Sequence, residues 1–469
     1  MDLISLLNNT ANGLSAVQAK AATVSNNIAN ASTPGYARQQ ANLEESSPSA
    51  LAGNRGYIGG GVFLGSITQV RDQFVEAQLP VAFSNSSGST ARSEALASVS
   101  TFNNGAEGDL TDAIGTFYSN LTGLAQNAGD PSLRQSAVQS ANWLASTFNR
   151  TSVALELART GIDASVSDTV QQVNSAAKQV AELNRRISVI EAGGSQPTDL
   201  LDKRHNLMDQ MAKLIGTTQV PDAYGNISLV LPSGLTLVSA TSAATLIVQG
   251  NNANKGHLDV VFTPPDASAP VTLNEAELGG QVGGLLSARD DALKTASEKL
   301  DALAYDFGKA VNDQNRLGYD LNGQAGGDIF AIGPDATNAA ATIGLNAALA
   351  KDPSLIAAAS SDTTVPGDAT NLQQMIQTQY AALSNGLDVQ KGLAKVVSDF
   401  GTSSADAENA SSFDKSVLQN LEDTRASVAG VSIDDEMVAL MQAQHAFEAL
   451  SKVIATGDSM LSTLMQIKT

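Results

Sequence analysis

Leu3-Ile-Ser-Leu-Leu-Asn-Asn-Thr-Ala-Asn-Gly-Leu-Ser-Ala-Val-Gln-Ala-Lys-Ala-Ala-Thr-Val-Ser-Asn-Asn-Ile28 sets Leu3, Leu7, Thr10, Leu14, Val17, Ala21, Val24 and Ile28 at alternating spacings of four and three. That repeat puts one narrow, mostly apolar seam on an α-helix, the a/d seam that a partner helix covers. The other faces carry Asn, Ser, Gln, Thr and Ala. Pro34-Gly35 then ends the helix. A single helix of this length is marginal in water, so the chain must supply a partner.

The matching pattern stands at the other end. Gly430 is a break, and Ser432 with Asp435 three residues on forms a capping arrangement. Asp434, Asp435 and Glu436 fill the first turn, where the helix dipole favours acid. Ile433, Met437, Leu440, Phe447, Leu450, Ile454, Leu461 and Leu464 then form an apolar stripe. It slips between Phe447 and Leu450 and is interrupted by Gln444 and Gly457. Two seams at opposite ends of one chain suggest pairing with each other rather than separate docking on a central core. The ends are expected to be mobile in the free monomer and to order on assembly.

Between the ends the pattern is mostly helical. Residues 37–84 read as irregular to short strand, with helices near 86–103 and 109–127. Asp130-Pro131 opens a long helix to about 191, because Pro suits the first helical position. A further helix fits 198–215. At 217 the character changes to β-branched runs with turn residues at 232–234 and 251–256, and this continues to about 275. Helix resumes at 282–315, residues 317–365 read as irregular, and helices return at 369–399 and 412–428. The expected fold is mainly α with a β insertion: a terminal α-helical coiled-coil pair, a discontinuous helical bundle and a small inserted β domain. Its expected domains are 1–65 with 425–469, then 66–216 with 280–424, and 217–279 at the tip.

Composition excludes several functions. Of 469 residues, 47 are Asp or Glu and 27 are Lys or Arg, a formal charge of -20. A nucleic-acid binder needs the opposite balance to neutralise phosphates. Cysteine is absent, which rules out disulfides and thiolate metal sites. No apolar run is long enough to span a bilayer, and the acidic start does not resemble a cleaved leader. His205, His257 and His445 lack metal-ligand spacing, with His205 and His445 expected at a surface or interface. Gly59-Gly60-Gly61 lacks the Gly-Lys-Ser/Thr of a phosphate loop and reads as a turn or close-packing site. Asp320 to Asp328 departs from a calcium loop in the place of its glycine and in lacking a closing Glu. No catalytic, cofactor or metal residue emerges, and the chain reads as a structural protein, not an enzyme.

Ser25-Asn-Asn-Ile-Ala-Asn-Ala-Ser-Thr-Pro-Gly-Tyr36 resembles the N-terminal signature of the bacterial flagellar rod, hook and hook-associated family, through Asn26, Asn27, Ile28, Ala29, Asn30, Thr33, Gly35 and Tyr36. Val431 to Ile467 resembles the C-terminal signature of the same family. Leu200 to Gly216 and Asn315 to Phe330 resemble interior segments of the hook-associated members that form the hook–filament junction. A hook or distal rod subunit is the alternative, and a secreted coiled-coil effector or adhesin would lack both signatures. His445-Ala-Phe447 and Gly457 depart from the family, which often has Tyr and Ala there. The resemblance implies export without a cleaved signal peptide to an extracellular junction zone of the flagellum. It implies self-association, contact with hook subunits and with a second junction protein on the filament side, and a cytoplasmic export chaperone at the C-terminal helix. It implies no cofactor, no nucleic acid and no membrane insertion.

Overall fold

The computed structural model describes residues 3–47, 49–50, 57–99, 109–194, 196–222, 225–266 and 268–467. Helix α1 (Leu3–Ala29) leads into the antiparallel pair of β1 (Gln39–Glu45) with β4 (Val62–Gln69), between which lie the short strands β2 (Ser49–Ala50) and β3 (Tyr57–Ile58). Helices α2 (Gln73–Ala97), α3 (Leu110–Gln126), α4 (Pro131–Ala192) and α5 (Thr198–Ile215) follow. Seven strands come next: β5 (Thr218–Pro221), β6 (Ile227–Val230), β7 (Thr236–Ser239), β8 (Ser242–Ala243), β9 (Thr245–Gly250), β10 (Leu258–Thr263) and β11 (Val271–Leu273). Helix α6 (Gly280–Ser287) runs through a π-helical turn at Ala288–Leu293 into α7 (Lys294–Arg316). Next are β12 (Phe330–Ala331), α8 (Ala339–Thr342), β13 (Gly344–Leu345), α9 (Ala347–Lys351) and α10 (Thr370–Gln377). The long helices α11 (Val389–Ala429) and α12 (Ile433–Ile467) close the chain.

Helix α4 is the spine. Asp130 accepts from the amides of Ser132 and Leu133, and Pro131 opens the first turn. Its 62 residues extend roughly 90 Å at 1.5 Å each. Its first half packs on α3, α7 and the segment from 329 to 356, around the rings of Phe117, Tyr118, Phe148, Phe307 and Phe330. Its second half packs on α5, α6 and the strands.

The β insertion is two antiparallel sheets, ordered β5-β6-β7-β8 and β11-β10-β9. The turns at 232–234 and 251–256 fall where the sequence places them. The insertion does not have a core of its own at a tip. Leu229, Leu237, Val238, Leu246, Val260, Phe262 and Leu273 are buried in the same continuous core as α4 and α6. Polar pins hold it along the helix. Asn174 of α4 donates to the Leu246 carbonyl and accepts from its amide, and Asn184 donates to the carbonyls of Ile227 and Ala240.

Other differences have physical causes. Helix α2 begins at Gln73, capped by Asp72, where the sequence suggests irregular chain. It is covered by α5, α6 and α11 together, so its apolar residues form no single stripe. The end of the expected 86–103 helix lies outside the described residues. Helix α11 is continuous through 400–411, which the sequence reads as a gap, and Gly401 and its serines are tolerated because Phe400, Ala407 and Ser411 remain buried. The region 317–365 is ordered by side-chain amides: Asn312 bonds Phe330 and Ile329, Asn315 bonds Gly327 and Ala357, and Asn371 bonds Ala357. Buried Arg134 donates to the carbonyls of Ala128, Pro353, Ser354 and Ile356, and burial lowers it to about 10. Asp320 accepts from the amides of Asn322 and Gln324, so its carboxylate closes its own turn.

Candidate assembly site

Helices α1 and α12 pack against each other within one chain. On α1, Thr10 and Val24 of the seam are buried and Leu7, Leu14, Val17, Ala21 and Ile28 are half-buried, with Gly13, Ala16, Thr23 and Asn27 buried beside them. The covered row of α12 runs Glu436, Leu440, Ala443, Leu450, Ile454, Gly457 and Leu461. This is a heptad row without a slip once small residues are counted, and Phe447, 38% exposed, stands at its remaining position. Gly457 belongs to it: a Cβ there would lie 2.8 Å from Leu7 Cδ2. Gly13 faces Leu450 in the same way, at 3.6 Å. The glycine read as an interruption is therefore a point of close approach.

Ile433 and Met437 do not join the covered row. They are 53% and 45% exposed, and with Met441 they leave α12 an apolar flank. The side chains of Leu3 and Leu464 lie outside the described residues. His445 is exposed, whereas His205 is buried among charged groups.

The signature loop closes the top of the pair around Asn27, which is 1% exposed. Its Nδ2 donates to the Gln39 carbonyl at 2.9 Å and to Glu436 Oε2 at 3.1 Å. Its Oδ1 accepts from the Gln39 amide at 2.9 Å and the Tyr36 hydroxyl at 2.8 Å. One carboxamide thus uses both donors and both lone pairs to join α1, β1 and α12. Burial, with the carboxylates of Asp202, Asp199 and Glu436, pushes the Tyr36 phenol up to about 12, so it stays a donor. Asn30 donates to Asn26, and Thr33 donates to Asn30, shaping the loop. Gly35 has φ +76°, a backbone conformation that favours glycine, and a Cβ there would lie 1.8 Å from Asn206 Oδ1 of α5, so a larger residue would also have to displace that side chain. Asn9 donates to the Gly59 carbonyl and packs on Gly61, which makes the glycine run a seat for α1.

A charged joint ties this unit to the helices behind it. Glu76 of α2 meets Arg71 at 3.2 Å, Arg425 of α11 at 3.1 Å and His205 of α5 at 2.9 Å. Asp202 pairs with Arg71, and Asp209 with Arg425. Burial opposes the charge of Glu76, but the His205 hydrogen bond and the charges of His205, Arg425 and Arg71 hold it down at about 2. Sequence reasoning missed Glu436, Ala443 and this joint. Glu436 and Ala443 keep heptad spacing with Leu450 and Gly457, a signal that was available. The joint draws on residues more than three hundred positions apart, which no local pattern reveals.

Among the described residues no group of three or more His, Asp or Glu side chains is placed to hold a metal, and no helix is long and apolar enough to cross a membrane. What the arrangement offers is a two-helix end with an uncovered apolar flank. Comparison with known proteins gives this end a context. A family described as flagella basal body rod protein matches residues 7–36, and the flagellar basal body rod FlgEFG protein C-terminal family matches 425–467. The flagellar hook-associated protein FlgK helical domain matches 97–330. Flagellar hook-associated protein 1 of Escherichia coli (strain K12) is 26% identical over 99% of this chain and 100% of its own length. The chain belongs to the flagellar hook-associated protein 1 family. Its relative in Salmonella typhimurium is 33% identical over 73% of this chain and 63% of that relative, and the Bacillus subtilis relative is 24% identical over 96% of both. The structure of the flagellar hook junction protein FlgK from Burkholderia pseudomallei, at 19% identity, shares the fold with a TM-score of 0.68 over 75% of this chain and all of that one. The family's matches at the two ends of the chain fall on α1 and α12, and its helical-domain match includes the β insertion, as the shared core does.

Proposed function

We propose that this chain is a structural subunit of the bacterial flagellum that forms the hook–filament junction and polymerises through its paired terminal helices. The pairing of α1 with α12 in one chain, with Ile433, Met437 and Met441 left exposed on its flank, carries the reading. An apolar stripe of that kind is an interaction surface rather than a resting state. The working division is a terminal unit of 1–65 with 425–469, a rod of 66–216 with 280–424, and the insertion 217–279 on its side. Hook subunits and a second junction protein on the filament side are the neighbours, and a cytoplasmic chaperone covers the α12 stripe before export. The role is mechanical, with no catalysis, and the extracellular flagellum is its place.

The test is replacement of the gene in the source bacterium by Leu14→Asp or Leu461→Asp. Each places a carboxylate in the seam. Loss of motility and of the subunit from sheared flagella, with the helical rod still folded by circular dichroism of the purified chain, is expected. Normal incorporation of either variant would contradict the reading.

A further inference from the structure

The rod carries two unlike surfaces on opposite sides, and we infer that they are the two halves of one contact between neighbouring copies: the α4–α5 groove of one copy receives the outer face of α11 of the next. The groove is about 500 Å³. Leu183 and Leu207 line it, and Lys178, Arg186 and Lys203 stand at its rim. These three cations have no ion pair among the described residues, while the one acid in the lining, Glu182, is held by Arg185. In a chain of net charge -20, an unpaired cationic rim around an apolar floor is a place for an acidic, partly apolar partner.

The chain itself has that partner. On α11, Phe413 is 68% exposed, with Val417 one turn on. Residues 402–423 hold five acids against the single base Lys415: Asp406, Glu408 and Asp423 are exposed, while Asp414 and Glu422 are half-buried, and Asp406 and Asp414 flank the cleft towards α2 and α6. The two surfaces cannot meet within one copy. The inner side of α11 packs through Leu418 and Leu421 on Val75, Leu79 and Phe83 of α2, and α2 packs on α5. On α5, His205 reaches Glu76 of α2 and Asp209 reaches Arg425 of α11, both from the side of the helix away from Lys203 and Leu207. A contact between different surfaces on opposite sides is heterologous, and such contacts close into rings or run on as helices rather than stopping at dimers. That is the geometry a tubular junction needs, so the inference rests on the proposed function and names its lateral contact.

The test uses full-length chain in flagellated cells lacking the native gene. p-Benzoylphenylalanine in place of Phe413 is expected, on irradiation, to give a dimer of this chain whose cross-linked peptide falls within residues 178–207. Arg186→Glu with Lys203→Glu in one variant, and Glu408→Lys with Asp423→Lys in another, are each expected to lower incorporation about tenfold or more by setting like charges together. Expressed together they are expected to restore it, because each mixed contact pairs opposite charges. A cross-link to another protein or another segment, or full incorporation of either variant alone, would overturn the inference. So would failure of the mixture when both variants melt like the parent chain. If these variants assemble while Leu14→Asp does not, the terminal-helix reading stands and the lateral contact falls.

Discussion

Asn27 fills all four hydrogen-bonding positions of its carboxamide inside the protein, and replacing it by Ala leaves Gln39 and Glu436 without that partner. Each buried polar group so orphaned costs about 1–3 kcal/mol. Asn27→Ala is expected to speed hydrogen exchange along α1 and β1 while leaving α4 unchanged; equal protection in both variants would show that the carboxamide does not hold the joint. Glu76 sets a pH dependence. Its carboxyl falls from an ordinary 4.5 to about 2 in the folded chain, so its contribution is present above the ordinary value and is lost as pH falls through about 2. Asp202 beside it is raised by burial against the pull of Arg71 and acts in the opposite sense. The stability difference between the parent chain and Glu76→Gln is therefore expected to shrink between pH 4.5 and 2, and a constant difference in thermal melts across that range would refute the assignment. At this scale the sequence marked Asn27 and Gly35 as signature residues without their reasons. Glu436 was legible only as an acid suited to a helix start, because its partner is 409 positions away.

Helix α12 shows what small residues do to a seam. Reading only large apolar side chains gave a stripe with a slip; the covered row includes Ala443 and Gly457, where α1 comes close. Gly457→Ala puts its Cβ against the mobile end of Leu7 while gaining roughly 1 kcal/mol of helix propensity, so its net effect is expected to be within about 1 kcal/mol. Gly457→Leu has no such room and is expected to separate the helices, read as faster exchange in α1 and α12. Wild-type protection in that variant would refute the close approach. Helices α4 and α5 were readable almost to the residue because Asp130-Pro131 and Gly216 punctuate them and one side of each is apolar. Helix α2 was not, since partners on several sides remove periodicity. The β insertion was legible as strands but not as part of the rod, because that depends on Asn174 and Asn184 of α4. Asn174→Ala is expected to raise exchange at Leu246 and along β9 while leaving β5 and β6 protected. Unchanged exchange at Leu246 would show that the strands are held by apolar burial alone.

Across the whole molecule, the two ends of the chain form one unit and the interior forms a large core with a smaller cluster of Val75, Leu79, Phe83 and Ala212 beside it, where the joint of Glu76, Asp209 and Arg425 lies. The family and its helical character could be read from the two terminal patterns and two interior segments. Which surfaces face a neighbour could not, since exposure depends on how α11, α2 and α5 are layered. The absence of cysteine makes the central claim, that α1 and α12 of the same chain pair in the working subunit, open to one direct measurement. A Cβ at 457 would lie 3.5 Å from Leu7 Cγ, the place a cysteine sulfur would take, close enough for a small shift to form a disulfide between Leu7→Cys and Gly457→Cys. Mild oxidation of flagella carrying the double variant is expected to give a subunit cross-linked within itself, running as a monomer under denaturing conditions and shifting on reduction. Cross-linked dimers or higher species in its place would mean that the helices pair between copies, and would contradict the account.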